Sequence, residues 1–255
     1  MAAEPARTSE DAVLGGRLVL RQPLTGHRVG HDAILLAAAS SARAGDQVVD
    51  LGAGVGAAGL ALARRVGGVT VTLVEIDAEL VALARANVAR NGFAENVRAI
   101  CLDVAATDAA FDAAGLATGA THHVLMNPPF NALQNPSPDR GRRLAHSAPQ
   151  DTLAQWLRTA DRLLHPGGAV TLIWRADGLS EVLAGLSADF GAVAVLPVHP
   201  KPASPAIRVL VRAVKANGPP LSLLPGFFLN DAAGKPTASA EAVLRGGAAL
   251  ALAGS

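Results

Sequence analysis

One tetrapeptide, Asn127-Pro128-Pro129-Phe130, combines side chains that can hold a flat, amine-bearing group. The Asn127 amide offers an oxygen that accepts an N–H, the two prolines fix a bend, and the Phe130 ring can stack on a planar molecule. The apolar run at 123–126 comes directly before it and predicts a buried strand. In open α/β sheets, ligands bind at the C-terminal ends of the strands, so the tetrapeptide is a candidate substrate site.

A glycine-rich turn lies upstream, in the sequence Asp50-Leu-Gly-Ala-Gly-Val-Gly56 between a predicted strand and a predicted helix. Glycines allow a tight turn and a close ligand, and the helix N-terminus behind them offers free N–H groups. Glu75 ends the next strand, where an acid can accept hydrogen bonds from ribose hydroxyls. Asp103 follows the third strand and is placed to receive the adenine amine. The candidate cofactor contacts at this edge are Asp50, Gly52, Ala53, Gly54, Gly56, Glu75, Ile76, Asp103, Val104 and Asn127.

Two features of the turn favour S-adenosylmethionine over NAD as the cofactor. Asp50 directly precedes the glycines, where it would repel a pyrophosphate but tolerate a sulfonium or an amino group. The spacing G-x-G-x-G is also closer than the dinucleotide pattern G-x-G-x-x-G, although Gly59 can supply a later glycine. A purely structural β-α turn remains an alternative.

The elements that must position these residues form a regular β-α alternation. Strands are predicted at 47–51, 69–74, 97–102, 123–126, 169–174, 193–198 and 207–214, and helices at 57–65, 77–91, 152–164 and 179–187. Repeated β-α units predict a parallel, doubly wound sheet with helices on both faces. The last two strands are joined by a proline-rich segment without room for a helix, so they should pair antiparallel. Cys101, Trp156 and Trp174 are expected in the core.

In this order and spacing, the glycine turn, Glu75, Asp103 and the N-P-P-F tetrapeptide resemble the amino-methyltransferases of the class I S-adenosylmethionine-dependent fold. The resemblance implies a Rossmann-like α/β domain, with a mostly parallel seven-stranded sheet that has one antiparallel strand. It implies that the Asn127 side chain and the Pro128 carbonyl bind the target NH₂, with Phe130 stacked on the substrate. Pro129 completes the catalytic motif.

The resemblance also implies a domain organisation. Residues 13–215 would form the methyltransferase domain, with 13–45 as an N-terminal segment that covers substrate and cofactor. Residues 1–12 are expected to be a flexible leader, and 216–255 a C-terminal extension with a helix near 239–245. The N-terminal segment is predicted to hold a strand or hairpin at 14–23 and a helix opened by His31 and Asp32. Asp32 either caps that helix or lines the methionine end of the cofactor.

Several acceptors are open to this class: adenine N6, cytosine N4, guanine N2 in rRNA, and the N5 amide of a protein glutamine. The segments 14–36 and 200–212 resemble those of bacterial tRNA(Val) (adenine-N6)-methyltransferases, which favours an adenine near the anticodon of tRNA. Phe130 makes the tetrapeptide similar to that of the rRNA guanine-N2 enzymes as well. An RNA-binding module without turnover is the alternative outside the class.

Chemistry on a folded RNA needs phosphate anchors, because the net charge of +1 supplies no global field. The candidate anchors are Arg17, Arg28, His31, Arg140, Arg142, Arg143 and Lys201. The alternative is that these residues are ordinary solvent-exposed side chains without a role in RNA binding. The single cysteine, the absence of a long apolar run and the polar N-terminus indicate a cytoplasmic protein without a membrane anchor. No metal site is expected.

Overall fold

The computed structural model describes residues 8–25, 28–129, 149–186, 189–216 and 220–254. Phe130, Arg140, Arg142 and Arg143 lie outside these ranges. The strands are β1 (Thr8–Val13), β2 (Leu18–Pro23), β3 (Gln47–Leu51), β4 (Thr70–Glu75), β5 (Val97–Cys101), β6 (Thr121–Met126), β7 (Leu164–Arg175), β8 (Phe190–His199), β9 (Arg208–Lys215), β10 (Ser222–Leu223) and β11 (Phe227–Phe228). The helices are α1 (His31–Ala39), α2 (Ala57–Arg65), α3 (Ala78–Arg90), α4 (Asp108–Ala113), α5 (Pro149–Leu163), α6 (Leu179–Leu186) and α7 (Ala238–Leu244).

The main sheet has the strand order β10-β8-β9-β7-β6-β3-β4-β5, and β11 also pairs with β8. Among its described strands, β9 alone runs antiparallel, against β7 and β8. The predicted mostly parallel sheet with one reversed strand is therefore confirmed. The sheet has nine strands rather than the predicted seven, because the two-residue strands β10 and β11 add to the outer edge of β8.

Helices cover both faces of this sheet, as predicted. One buried cluster joins the sheet to α1, α2, α3 and α7. A second cluster lies on the other face and includes Phe111 of α4, Leu157 of α5 and Val182 of α6. A buried parallel sheet needs continuous apolar strands, and β6 ends in three buried residues, Val124 to Met126.

For residues 8–12 the N-terminal hairpin corrects the prediction of a flexible leader at residues 1–12, whereas residues 1–7 lie outside the described ranges. Residues 8–13 form β1, which pairs antiparallel with β2 from Thr8 opposite Pro23 to Val13 opposite Leu18. Leu18 and Leu20 of β2 are fully buried in the core that α1 and α2 share. Two ion pairs tie this hairpin down, Arg28 with Asp11 at 2.8 Å and Arg90 with Glu10 at 2.6 Å.

Two asparagines hold the free edge of β2: Asn87 of α3 and Asn91, which directly follows that helix. The Asn87 Oδ1 accepts the N–H of Arg21 at 2.7 Å, and its Nδ2 donates to the Arg21 carbonyl at 3.0 Å. Asn91, one helical turn later, makes the same pair of bonds with Val19 at 3.0 and 2.9 Å. The spacing of four residues places both amides on one side of the helix, where they replace a neighbouring strand.

The C-terminal extension belongs to the core of the domain. Ala240 and Val243 of α7 are buried in the same cluster as α1, and the Leu250 N–H donates to the Ala38 carbonyl at 2.9 Å. The predicted helix near 239–245 is confirmed as α7. Its first turn is capped by Thr237, whose hydroxyl accepts the Ala240 N–H.

Other local predictions were wrong. Gly30 caps α1, and Asp32 lies in the first turn instead. The strand β7 begins at Leu164, so residues 165–168 extend a strand rather than separate a helix from one. Cys101 is exposed at the end of β5, not buried in the core. None of the helices in the described residues is long and apolar enough to cross a bilayer.

Candidate functional site

The candidate site lies where the three central strands end. Leu51 of β3 pairs with Val74 of β4 on one side and with Met126 of β6 on the other. Gly52 and Asn127 directly follow β3 and β6, and Glu75 is the last residue of β4. The three residues therefore lie side by side at this end of the sheet. The sequence prediction that these motifs meet at one edge is confirmed.

The turn after β3 needs its glycines for two separate reasons. Gly52, Gly54 and Gly56 have φ of 66°, 57° and 89°, in the left-handed region that disfavours other residues. A Cβ on Gly56 would lie 2.8 Å from Leu73, whereas a Cβ on Gly54 would meet no described residue within 4 Å. The backbone at Gly54 is therefore open to a ligand, while Gly56 is closed by packing.

The Glu75 carboxylate is fixed beside this open position. The side chain is 9% exposed; its Oε2 accepts the Gly54 N–H at 2.9 Å, and its Oε1 accepts the Asp77 N–H at 3.0 Å. Each carboxylate oxygen can accept a second hydrogen bond. Ile76, the next residue, is 47% exposed and adds an apolar surface at the strand end. An acid next to an apolar patch suits a ribose and its attached base.

Asp50 lies beneath the turn and is only 2% exposed. Its Oδ2 accepts the Gly59 N–H of α2 at 2.8 Å, so the carboxylate joins β3 to the following helix. Burial raises the pKa of Asp50 to about 7, with the Gly59 bond lowering it and the Glu75 charge raising it further. The described contact of Asp50 is thus to the backbone of α2, and a contact with the cofactor stays a prediction.

The adenine side of the predicted site is formed by the segment after β5. Asp103 is exposed, and its Oδ1 accepts the Ala105 N–H at 2.8 Å. Val104 is buried, and its carbonyl accepts the hydroxyl of Thr159 from α5 at 2.8 Å. The Cys101 thiol contacts the Ile76 carbonyl at 3.4 Å, which ties β5 to the end of β4. One carboxylate oxygen of Asp103 is therefore held by a hydrogen bond, while the residue as a whole stays exposed to solvent.

Asn127 has the property expected of a group that binds a substrate amine. Its Oδ1 is buried and has no hydrogen-bond partner among the described residues. A buried amide oxygen without a partner costs roughly 1–3 kcal/mol, which a bound N–H donor would recover. Pro128 is buried and Pro129 exposed, so the bend leads the chain from the sheet to the surface.

Sequence reasoning missed one residue of this site. Trp156 of α5 is half-buried, and its six-membered ring lies against Gly52. A Cβ on Gly52 would come within 2.2 Å of the Trp156 Cη2. The expectation that Trp156 belongs to the core is wrong in this respect, whereas Trp174 is fully buried as expected. The residues next to Trp156 in the sequence do not indicate this contact, because it depends on how α5 packs against the glycine turn.

The predicted RNA anchors fall into two groups. His31 begins α1, and Lys201 follows β8; both are exposed at the sheet edge that bears the site. Arg208 starts β9 at the same edge and donates to Asp32 at 2.9 Å. Arg17 instead donates to the Gly246 carbonyl in the C-terminal segment.

Asp32 therefore has an ion pair in place of the predicted helix cap. Arg28, next to this region in sequence, pairs with Asp11 and is 42% exposed. Among the described residues no group of three or more His, Cys, Asp or Glu side chains is arranged to hold a metal ion.

Comparison with known proteins agrees with this geometry. Curated relatives named tRNA1(Val) (adenine(37)-N6)-methyltransferase include one from Phocaeicola vulgatus, 28% identical over 187 residues, 72% of this chain and 75% of the relative. Another, from Aeromonas hydrophila, is 31% identical over 191 residues, with the same two shares.

Solved structures share the fold. A protein described as a predicted O-methyltransferase from Agrobacterium tumefaciens superposes with a TM-score of 0.73 at 29% identity, over 86% of this chain and 98% of that one. The Thermus thermophilus 16S rRNA N2 G1207 methyltransferase gives a TM-score of 0.56 at 22% identity, over 82% of this chain and 50% of that one, which shows the fold alone. The family model for the methyltransferase small domain matches residues 27–201. This chain belongs to the methyltransferase small domain family and has the class I methyltransferase fold.

Proposed function

We propose that this chain transfers a methyl group from S-adenosylmethionine to the exocyclic N6 amine of an adenine in tRNA, near the anticodon. The observation that supports the chemistry is the buried Asn127 Oδ1, which has no hydrogen-bond partner among the described residues and lies at the strand edge that also bears the glycine turn. The names of the curated relatives, of which this chain covers about three quarters, support the acceptor.

The residues at the turn fit S-adenosylmethionine. The backbone at Gly54 can lie against the donor, since in the part of the chain that the structure describes even a Cβ there would meet no atom within 4 Å. Glu75 is oriented to accept the ribose hydroxyls, Ile76 offers an apolar surface to the adenine, and Asp103 can accept the adenine amine. When bound, the donor supplies a methyl group on a positively charged sulfur, which is a good leaving group.

Asn127 would hold the acceptor amine by accepting one N–H at Oδ1, and the Pro128 carbonyl would accept the other. Two accepted protons fix the nitrogen so that its lone pair points away from both oxygens and toward the donor. Such alignment can provide a large part of the rate. Asn127 cannot take a proton, so the residues of the site orient the amine and the surplus proton leaves to water.

The surface around the site suits an RNA. Exposed His31 and Lys201 lie at the sheet edge, and Phe130 is the candidate platform for an unstacked base. A phosphate contact from Lys201 predicts that Lys201→Glu weakens tRNA binding and reduces the salt slope by roughly one. An unchanged slope would remove Lys201 from the interface. A tRNA substrate also places the enzyme in the cytoplasm.

Labelled S-adenosylmethionine tests the proposal directly. The protein is incubated with total tRNA, total rRNA or a cytosolic protein fraction, and the labelled nucleoside is identified by mass spectrometry. We expect N6-methyladenosine in tRNA. Label in rRNA guanine or in a protein glutamine would show that the same chemistry acts on one of the alternative acceptors, and would refute the tRNA proposal. RNA binding with no label in any acceptor would leave the binding-module alternative.

A further inference from the structure

Trp156 occupies one side of the glycine turn. The ring atoms Cη2, Cζ3 and Cζ2 would lie 2.2, 2.9 and 3.2 Å from a Cβ on Gly52. Two residues later, a Cβ on Gly54 would meet no atom of the described residues within 4 Å. Within this part of the chain the turn is filled on the Gly52 side and free on the Gly54 side, so a molecule bound against its backbone has one direction in which to lie.

The helix that presents Trp156 is held firmly. The Thr159 hydroxyl donates to the Val104 carbonyl at 2.8 Å, which fixes α5 to the segment after β5. Leu157, the neighbour of Trp156, is 3% exposed and packs against α6 so closely that a Cβ on Gly185 would lie 2.5 Å from it. The ring of Trp156 therefore rests on a fixed support.

Trp156 differs from the core residues beside it on α5. Leu153 and Leu157 are 2% and 3% exposed, whereas Trp156 is half-buried and stands at the border of the cluster. Trp174, by contrast, lies inside that cluster at 0% exposure. The partly open ring of Trp156 stands against Gly52, directly after β3.

We propose that Trp156 is a positioning residue for methyl transfer, a role that rests on the proposed function. Its ring blocks the Gly52 side of the turn and so holds the donor at the distance from Asn127 that transfer requires. Removal of the ring would leave room for the donor to shift while its contacts with Glu75 and Asp103 remain. Misplacement of reacting groups by about 1 Å costs on the order of 10²-fold in rate.

The test compares Trp156→Ala with Trp156→Phe and with Leu163→Ala, a fully buried core control at the far end of the same helix. We expect Trp156→Ala to lower kcat by about 10²-fold, with the dissociation constant of S-adenosylhomocysteine, measured by calorimetry, changed by less than about 3-fold. Phe should recover most of kcat. The control should lose stability but keep kcat within about 3-fold, assayed well below its melting temperature.

A spectroscopic readout separates positioning from packing. The chain has two tryptophans, so Trp174→Phe leaves Trp156 as the sole emitter. We expect S-adenosylhomocysteine to shift or quench that emission, and the same titration with Phe at 156 and Trp174 retained to show no change. Calorimetric binding together with silent Trp156 emission, or with a kcat of Trp156→Ala equal to that of the control, would overturn the inference and leave the proposed function intact. Failure of the unmodified protein to bind S-adenosylhomocysteine would overturn both.

Discussion

Two glycines of one turn provide a matched pair for testing the packing of the site. Gly52 and Gly54 have nearly the same backbone conformation, φ of 66° and 57°, so alanine at either position bears a similar left-handed strain. That strain amounts to roughly 1–2 kcal/mol. The two positions differ in their surroundings, because only a Cβ on Gly52 would overlap a ring, that of Trp156.

The expected costs follow from this difference. Overpacking adds roughly 1–3 kcal/mol, so Gly52→Ala should lower the free energy of unfolding by about 2–5 kcal/mol. Gly54→Ala should lower it by about 1–2 kcal/mol. Urea denaturation followed by far-UV circular dichroism, without ligand, measures both. Equal losses for the two variants would refute the packing of Trp156 on the turn.

A double variant makes the test specific. In Gly52→Ala with Trp156→Ala the overlap is gone, so the combined loss of stability should fall short of the sum of the single losses by about 1–3 kcal/mol.

For cofactor binding we expect the opposite order of the two glycine variants, with the larger effect at Gly54. Gly54→Ala, although the milder change for stability, projects a methyl group into the open side of the turn. It should therefore weaken binding of S-adenosylhomocysteine by more than about 10-fold, or more than 1.4 kcal/mol.

Three further predictions concern Asn127, Asp50 and Asn87. Asn127→Ala should abolish methyl transfer and leave cofactor binding within a few-fold; comparable activity would remove its assigned role. Burial raises the pKa of Asp50 from 3.8 to about 7, so the folded state holds a proton that the unfolded state has lost, and the free energy of unfolding should fall by about 3 kcal/mol from pH 5 to pH 8. In Asp50→Asn this decline should be absent. Urea denaturation at several pH values measures it, and the same dependence of the unfolding free energy on pH in both proteins would contradict the prediction. Asn87→Ala breaks three hydrogen bonds of a fully buried amide and should cost about 2–4 kcal/mol, whereas a cost below about 0.5 kcal/mol would mean that the hairpin does not depend on it.

The alternation of strands and helices was predictable because local signals and tertiary packing agree there. The helix predicted at 77–91 begins after its Asp77 cap and ends at Arg90, with Asn91 as its C-terminal cap and Gly92 at φ 74°. The strand at 47–51 and the helix at 57–65 match β3 and α2 residue for residue. Glu75 and Asn127 were found because their places at strand ends fix where they meet.

Contacts between distant segments were not predictable from the residues alone. The strand β1 is polar, and its structure depends on pairing with β2. Asp32 looked like a helix cap, but its partner, Arg208, is 176 residues away. Trp156 looked like a core residue because nothing in its neighbourhood indicates that α5 turns this ring toward Gly52. Such features depend on how distant segments pack against each other, which cannot be inferred from the residues near one position.

The attachment of β2 to α3 has a consequence for synthesis of the chain on the ribosome. The backbone N–H groups of Arg21 and Val19 gain their partners only after Asn87 and Asn91 have been synthesised, 66 and 72 residues later. At roughly 5–20 residues per second, the edge of the hairpin stays without its partner for about 3–14 seconds. During that interval β2 presents unpaired backbone groups beside Leu18 and Leu20, which is the kind of edge that other chains can join. The nascent N-terminal hairpin is thus open to pairing with other chains until α3 emerges.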